Sequence, residues 1–384
     1  MKLPIEKFEG VQTPFYYYDK ALLQRTLDTI TQEAAKYPNF HVHYAVKANV
    51  DPTVLTLINQ SGLGCDCVSG WEVETCIKAG FPASKVVFAG VGKSDWEINY
   101  ALDADIACFN VESVPELEVI SQLAVAKGKE ARVAIRVNPN VDAHTHKYIT
   151  TGLSENKFGI SMEMLDEVID IAQHLPNIRV VCLHFHIGSQ LLELEPFAML
   201  CDRINKLQDS LEARGLQLPS INVGGGLGCD YDDPDGHPIP DFAEFFANYA
   251  KHLKLRPGQE LHFELGRSIV CQCGSLISRV LYVKEGLKKK FVILDAGMSD
   301  LIRPALYQAH HKIENISAEA AGVEQTDTYD VVGPICESSD CFGTDEVLPV
   351  TKRGDLVALR SAGAYGQIMA SHYNCRRIPA SLVL

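Results

Sequence analysis

Phe40-His41-Val42-His43-Tyr44-Ala45-Val46-Lys47 opens on an apolar/polar alternation and stops at a turn beginning Ala48-Asn49. A period of two is the signature of a strand. Seven similar short runs follow: Leu63–Val68, Lys85–Gly90, Ile106–Val111, Arg132–Asn138, Val180–Gly188, Ser220–Gly226 and Glu260–Gly266. Most end on Gly, Asn or Lys, and most consecutive pairs are separated by a helical pattern. Ser113-Val-Pro-Glu116 carries a helix-start signal, with Leu117, Ile120 and Leu123 at helical spacing and Gly128 as the stop. Asp241-Phe-Ala-Glu244 opens another, and Leu200, Ile204, Leu207 and Leu211 line a third, closed by Gly215.

Eight strand–helix units within roughly 230 residues are what a (β/α)8 barrel requires. A doubly wound sheet has the same local pattern. The count of eight, and the polar or glycine-rich chemistry at the strand ends, favour the barrel. After Gly266 the pattern changes: Ser268–Lys284, Phe291–Asp295, Thr328–Val332 and Asp355–Ala362 read as strands with few helices between them. Pro14–Asp19 also reads as a strand. The expected organisation is therefore a barrel over 20–266 and a discontinuous β domain built from 1–19 and 267–384.

The chain has 384 residues, 46% of them hydrophobic, and a formal charge of −14. Such an acidic balance argues against nucleic-acid or anionic-membrane partners. No apolar run approaches a membrane span, and Met1–Gly10 lacks the apolar core of a secretion signal. Twelve cysteines lie scattered through the predicted elements, as reduced thiols of a cytoplasmic protein would. The polar connection Asn140–Ile160 has the length of a binding loop.

Several motifs sit where chemistry belongs. Lys47 ends the first run, where burial would lower its pKa toward the nucleophilic amine. Gly224-Gly225-Gly226 follows the seventh run, either as a tight turn or as an anion-binding backbone. Glu264-Leu-Gly-Arg267 ends the eighth: a carboxylate and a planar guanidinium, otherwise a salt bridge between domains. Alternation puts His184 and His186 on one face, both inward or both outward, with Ser189 just beyond. Paired metal-binding histidines are the competing reading, which nearby acids and cysteines do little to support. Arg303 and Tyr307, four apart, meet on a helical turn and can grip one carboxylate. Cys336-Glu337 offers a thiol, by itself one more among twelve.

Together these motifs resemble the fold-type III, pyridoxal-phosphate-dependent amino-acid decarboxylases, whose architecture is also that of alanine racemase and ornithine decarboxylase. The resemblance runs from Tyr44-Ala-Val-Lys-Ala-Asn49 through Asn138-Pro-Asn-Val-Asp142, Lys157-Phe-Gly159, His186-Ile-Gly-Ser-Gln190 and Glu264–Arg267 to Cys336-Glu337-Ser338 and Gly363-Ala-Tyr365. It implies that Lys47 holds pyridoxal 5′-phosphate covalently, that His186 stacks on its ring and that Glu264 pairs with the ring nitrogen. Ser189, the backbone of Gly225 and Gly226, Gly266, Arg267 and Tyr365 would hold the phosphate. Arg267, Arg303 and Tyr307 would bind a distal substrate carboxylate, and Glu337 a distal ammonium. Cys336 would donate the proton, from the second subunit of a homodimer with shared active sites. The implied reaction is decarboxylation of meso-2,6-diaminopimelate to L-lysine and CO2, with carboxynorspermidine as the alternative small-molecule amino-acid substrate. One departure is Leu265, where the family usually has proline.

Overall fold

The computed structural model describes residues 3–141 and 157–384. Its strands, in chain order, are β1 (Phe15–Tyr18), β2 (Phe40–Ala45), β3 (Gly64–Cys67), β4 (Val86–Phe88), β5 (Cys108–Val111), β6 (Ala131–Asn138), β7 (Ile160–Ser161), β8 (Ile178–His184) and β9 (Ser220–Asn222). They continue as β10 (Glu260–Leu265), β11 (Gly274–Glu285), β12 (Lys290–Leu294), β13 (Ile313–Glu314), β14 (Thr326–Val332), β15 (Cys341–Pro349), β16 (Leu356–Leu359) and β17 (Ala380–Val383).

The eight expected runs form one closed parallel barrel. β2, β3, β4, β5, β6, β8, β9 and β10 pair in turn, and β10 returns to β2 with Leu265 opposite Tyr44. The short β7 adds to β6 outside this ring. The outer helices begin where their caps direct. Ser113 Oγ accepts from Glu116 N, and Gly128 ends that helix at φ +62°. The Glu116 carboxylate accepts from Glu112 N and Lys93 instead of closing a reciprocal box with Ser113. Asp241 caps Phe242–His252, whose Phe242, Phe245, Phe246 and Tyr249 are buried against Phe263 of β10.

The second sheet runs β13–β16–β11–β12–β14–β15. β1 pairs antiparallel with β11 and parallel with β17, so the chain's first and last strands lie side by side. One strand expectation needs correction, and β13, β15 and β17 were not expected. Residues 268–273 are not extended: Arg267–Val270 is one helical turn, and β11 begins only at Gly274. Its residues are buried on all sides, which gives an apolar run indistinguishable from a strand in sequence. β15 escaped notice because charged Asp345 and Glu346 interrupt its alternation.

Candidate active site

The eight strands aim their C-terminal ends at one cavity of about 540 Å3. Lys47, His186, Ser189, Gly226, Glu264, Gly266, Arg267, Arg303, Tyr307 and Tyr365 all line it. Residues from 45 to 365 of the sequence thus converge on one void. A larger cavity, about 710 Å3, opens at the opposite mouth around His41, His43 and His262. It holds none of the expected chemistry, and active sites of such barrels lie at the C-terminal face.

Lys47 does not sit on its strand but on the helical turn Val46–Ala48 that follows. That turn is clamped by the segment that follows β16: Tyr365 N donates to Ala48 O at 2.8 Å, and Asn49 Nδ2 donates to Gly363 O at 2.8 Å. The side chain has accessible surface only because it projects into the cavity, where protein surrounds it on all sides. The expected lowering of its pKa needs correction. Burial does lower it, but the carboxylates of Asp66 and Glu264 and the Tyr365 hydroxyl together raise it above the ordinary value. Burial and Glu264 push Asp66 up as well, against the pull of Lys47. Asp66 Oδ1 is buried and makes no hydrogen bond.

Glu264 is the most constrained acid. Asn110 Nδ2 and Asn222 Nδ2 donate to Oε1 at 2.9 and 2.8 Å, and His184 Nε2 bonds Oε2 at 3.0 Å. Burial pushes its carboxyl up, yet His184, Lys47 and His186 outweigh that and hold it well below the usual range. His184 ends β8, and the chain leaves the strand before His186, so the two histidines divide their work. His186 is kept neutral by burial and by the positive charges of Arg136 and Lys47. Its Nδ1 faces Gly225 N at 3.3 Å, which sets Gly225 just behind the cavity wall. A Cβ on Gly225 would lie 2.0 Å from Glu264 O, and Gly224 adopts φ +69°. The glycine run therefore lets this loop press onto β10.

At the other side, Arg267 donates to Ser189 Oγ through Nε at 3.2 Å and Nη2 at 3.1 Å, and to Tyr231 Oη at 2.6 Å. Its guanidinium lies 4.9 Å from the Tyr365 ring. Arg303 lies over the other face of this cluster, 4.8 Å from the Tyr231 ring, and donates to His311 Nε2 at 2.7 Å. Burial and Arg303 lower the His311 pKa to about 3, so it accepts as a neutral ring. Leu265, at the position of the family's proline, ends β10 with its side chain in the core.

Three expected residues do not line the cavity: Gly225, just behind its wall, and two more that lie well away from it. Cys336 and Glu337 lie in an exposed turn of the second sheet, where Tyr373 Oη bonds the Glu337 carboxylate. Most of the Asn140–Ile160 connection, residues 142–156, lies outside the described residues. Conversely, sequence reading missed Asp66, Asn110, Asn222, Arg136, Tyr231 and His311. The one signal was strand position: Asp66, Asn110 and Asn222 are polar residues inside apolar runs.

The cavity suits pyridoxal phosphate on its own evidence. It offers an amine at Lys47, a fixed anion at Glu264, an orphaned buried oxygen on Asp66, and a hydroxyl–guanidinium corner at Ser189–Arg267 beside Gly266. A Cβ on Gly266 would stand 3.0 Å from Ala45 Cβ and Ala45 O, so only glycine keeps that corner open.

Comparisons with known proteins agree. A family model described as the pyridoxal-binding domain of pyridoxal-dependent decarboxylases matches residues 23–271. The chain is 64% identical to a diaminopimelate decarboxylase of Bacteroides thetaiotaomicron over 98% of its length and 96% of the relative's. It is 43% identical to one of Helicobacter pylori, covering 97% of this chain and 90% of that protein. The crystal structure of a Helicobacter pylori diaminopimelate decarboxylase complexed with L-lysine superposes with a TM-score of 0.92 at 41% identity, covering 99% and 93% of the two chains.

Proposed function

The chain belongs to the pyridoxal-dependent decarboxylase family, and from that premise we infer that it decarboxylates meso-2,6-diaminopimelate to L-lysine and CO2, as the last step of lysine biosynthesis. The cofactor is pyridoxal 5′-phosphate. When bound it supplies the electron sink for the pair left behind as the carbon–carboxylate bond breaks. The other tasks fall to side chains of this protein.

Lys47 is the covalent anchor, and Asp66 beside it keeps protons within reach of its Nζ. Glu264, anionic and fixed by three donors, would hold a proton on the ring nitrogen, which keeps the sink deep. Neutral His186 offers a flat face for ring stacking without adding charge. Ser189, Gly226, Gly266 and Arg267 would hold the phosphate, with the Gly225 backbone and Tyr365 supporting them. Arg303, with Tyr307 on the same turn, would fix the distal carboxylate. The positive wall of Arg267 and Arg303 is the observation that favours a substrate with two carboxylates over a plain diamino acid.

Cys336 would protonate the carbon that lost CO2, and Glu337 would bind the distal ammonium. Because both are exposed and outside the cavity of their own chain, we assign them to the active site of a partner in a homodimer. Among the described residues no helix is long and apolar enough to cross a membrane; we place the enzyme in the cytoplasm, as expected of reduced, scattered cysteines.

The assay is direct. Purified enzyme with pyridoxal phosphate should release CO2 and L-lysine from meso-diaminopimelate and leave carboxynorspermidine untouched. Turnover of the latter alone would overturn the substrate assignment.

A further inference from the structure

Away from Lys47, three thiols meet. The sulfurs of Cys65, Cys67 and Cys76 all lie within 4.8 Å of one another, and none of the three residues has exposed surface. Strand alternation puts Cys65 and Cys67 on the outer face of β3 while Asp66 between them faces the cavity. Cys76 comes from the helix Gly70–Lys78, which packs over that face. Cys67 Sγ donates to Cys76 Sγ at 3.7 Å. Hydrogen bonds from Cys65 and Cys67 hold the Cys76 thiol below its ordinary pKa, at about 5.

A buried cysteine normally packs as a small apolar group, and packing alone does not bring three sulfurs to one point. Three thiolates bound to one atom at about 2.3 Å stand roughly 3.4 Å apart when the atom is pyramidal and about 4.0 Å apart when it is planar. The trio lies within 4.8 Å, with one pair at 3.7 Å, so a small contraction closes it. Charge then selects the element. Structural zinc takes four ligands, and among the described residues only three converge here. A mono- or divalent cation on three thiolates leaves a buried negative charge. The ionisable groups beside the thiols, Asp66 and Glu72, are themselves acids that already share the field of Lys47, so a further buried negative charge would be costly.

We propose that Cys65, Cys67 and Cys76 form a trithiol site for a trivalent thiophilic metalloid delivered as its neutral trihydroxide. With arsenous acid the step is As(OH)3 + 3 Cys–SH → As(S–Cys)3 + 3 H2O. Three S–H and three As–O bonds break, three As–S and three O–H bonds form, no oxidation state changes, and no charge is buried. Because two of the ligands flank Asp66, drawing the sulfurs together shifts that carboxylate relative to Lys47 and inhibits the enzyme.

The test uses the wild-type holoenzyme treated with arsenous acid in thiol-free buffer and desalted. Native mass should rise by one arsenic less three hydrogens per chain, and anomalous diffraction should put arsenic between the three sulfurs. Activity should fall by about tenfold or more in step with occupancy and recover with a dithiol. In Cys76→Ala, checked for an unchanged melting temperature, retention should drop by a similar factor and activity should resist arsenous acid. No retained arsenic, or arsenic confined to Cys336, Cys341 or Cys375, overturns the site. Arsenic seated at the trio with undiminished activity overturns the coupling to Asp66.

Discussion

His184 Nε2 stands 3.0 Å from Glu264 Oε2, at the closing ends of two barrel strands joined through β9. Since Glu264 is held ionised, His184 is the donor, and together with Asn110 and Asn222 it turns a buried acid into a permanent anion. Glu264→Gln keeps the shape and removes the charge. Its kcat on diaminopimelate should fall about 10²- to 10³-fold with cofactor saturating, and a wild-type rate would disprove the role of Glu264.

Lys47→Ala removes the proposed anchor. The purified variant should lose the visible absorbance that borohydride fixes in the wild-type enzyme. Its kcat should fall by about 10⁴-fold. A retained borohydride-stable chromophore would mean that another lysine carries the cofactor.

Cys336→Ala should lower kcat by about 10²- to 10⁴-fold while leaving the absorbance spectrum intact. Mixing it with Lys47→Ala tests the shared site. In an exchanging homodimer, half the molecules become mixed and each regains one complete site. Activity should then return to roughly a quarter of wild type. If the mixture stays as inactive as its parts, each chain builds its site alone.

Arg303→Met keeps the stem and deletes the charge. Loss of a charge-assisted hydrogen bond costs about 1.5 to 3 kcal/mol, so KM for diaminopimelate should rise about 10- to 100-fold with a smaller change in kcat. A kcat loss without a KM change would move Arg303 from substrate binding to the chemical step.

Acid should destabilise the fold through its buried neutral histidines. Burial lowers His43 from 6.5 to about 4, and His311 to about 3. Unfolding lets them take up protons they refuse when folded, so stability is complete above pH 6.5 and declines as pH falls toward 4. His43 alone accounts for on the order of 3 kcal/mol across that window. Melting temperature followed from pH 7 to 4 should drop less steeply in His43→Gln than in wild type. Parallel curves would show that His43 does not titrate on unfolding.

Much of the barrel can be read in the order of the residues. Short apolar runs marked the eight barrel strands, and Ser113 and Asp241 marked helix starts, because apolar patterning and capping are local. Lys47, His186, Glu264 and Arg267 were legible as motif residues, and Tyr365 through the family resemblance. The second sheet was read less well, since a buried turn at Arg267–Val270 imitates a strand and charges mask β15. Only the tertiary structure decided which residues act on which. Asn110, His184 and Asn222 lie 154, 80 and 42 positions from Glu264, and barrel closure alone brings them to its carboxylate. The same closure set Asp66 against Lys47 and reversed the expected direction of that lysine's pKa. Electrostatic fields act through space, and a strand's neighbour across the barrel has no fixed spacing in the chain.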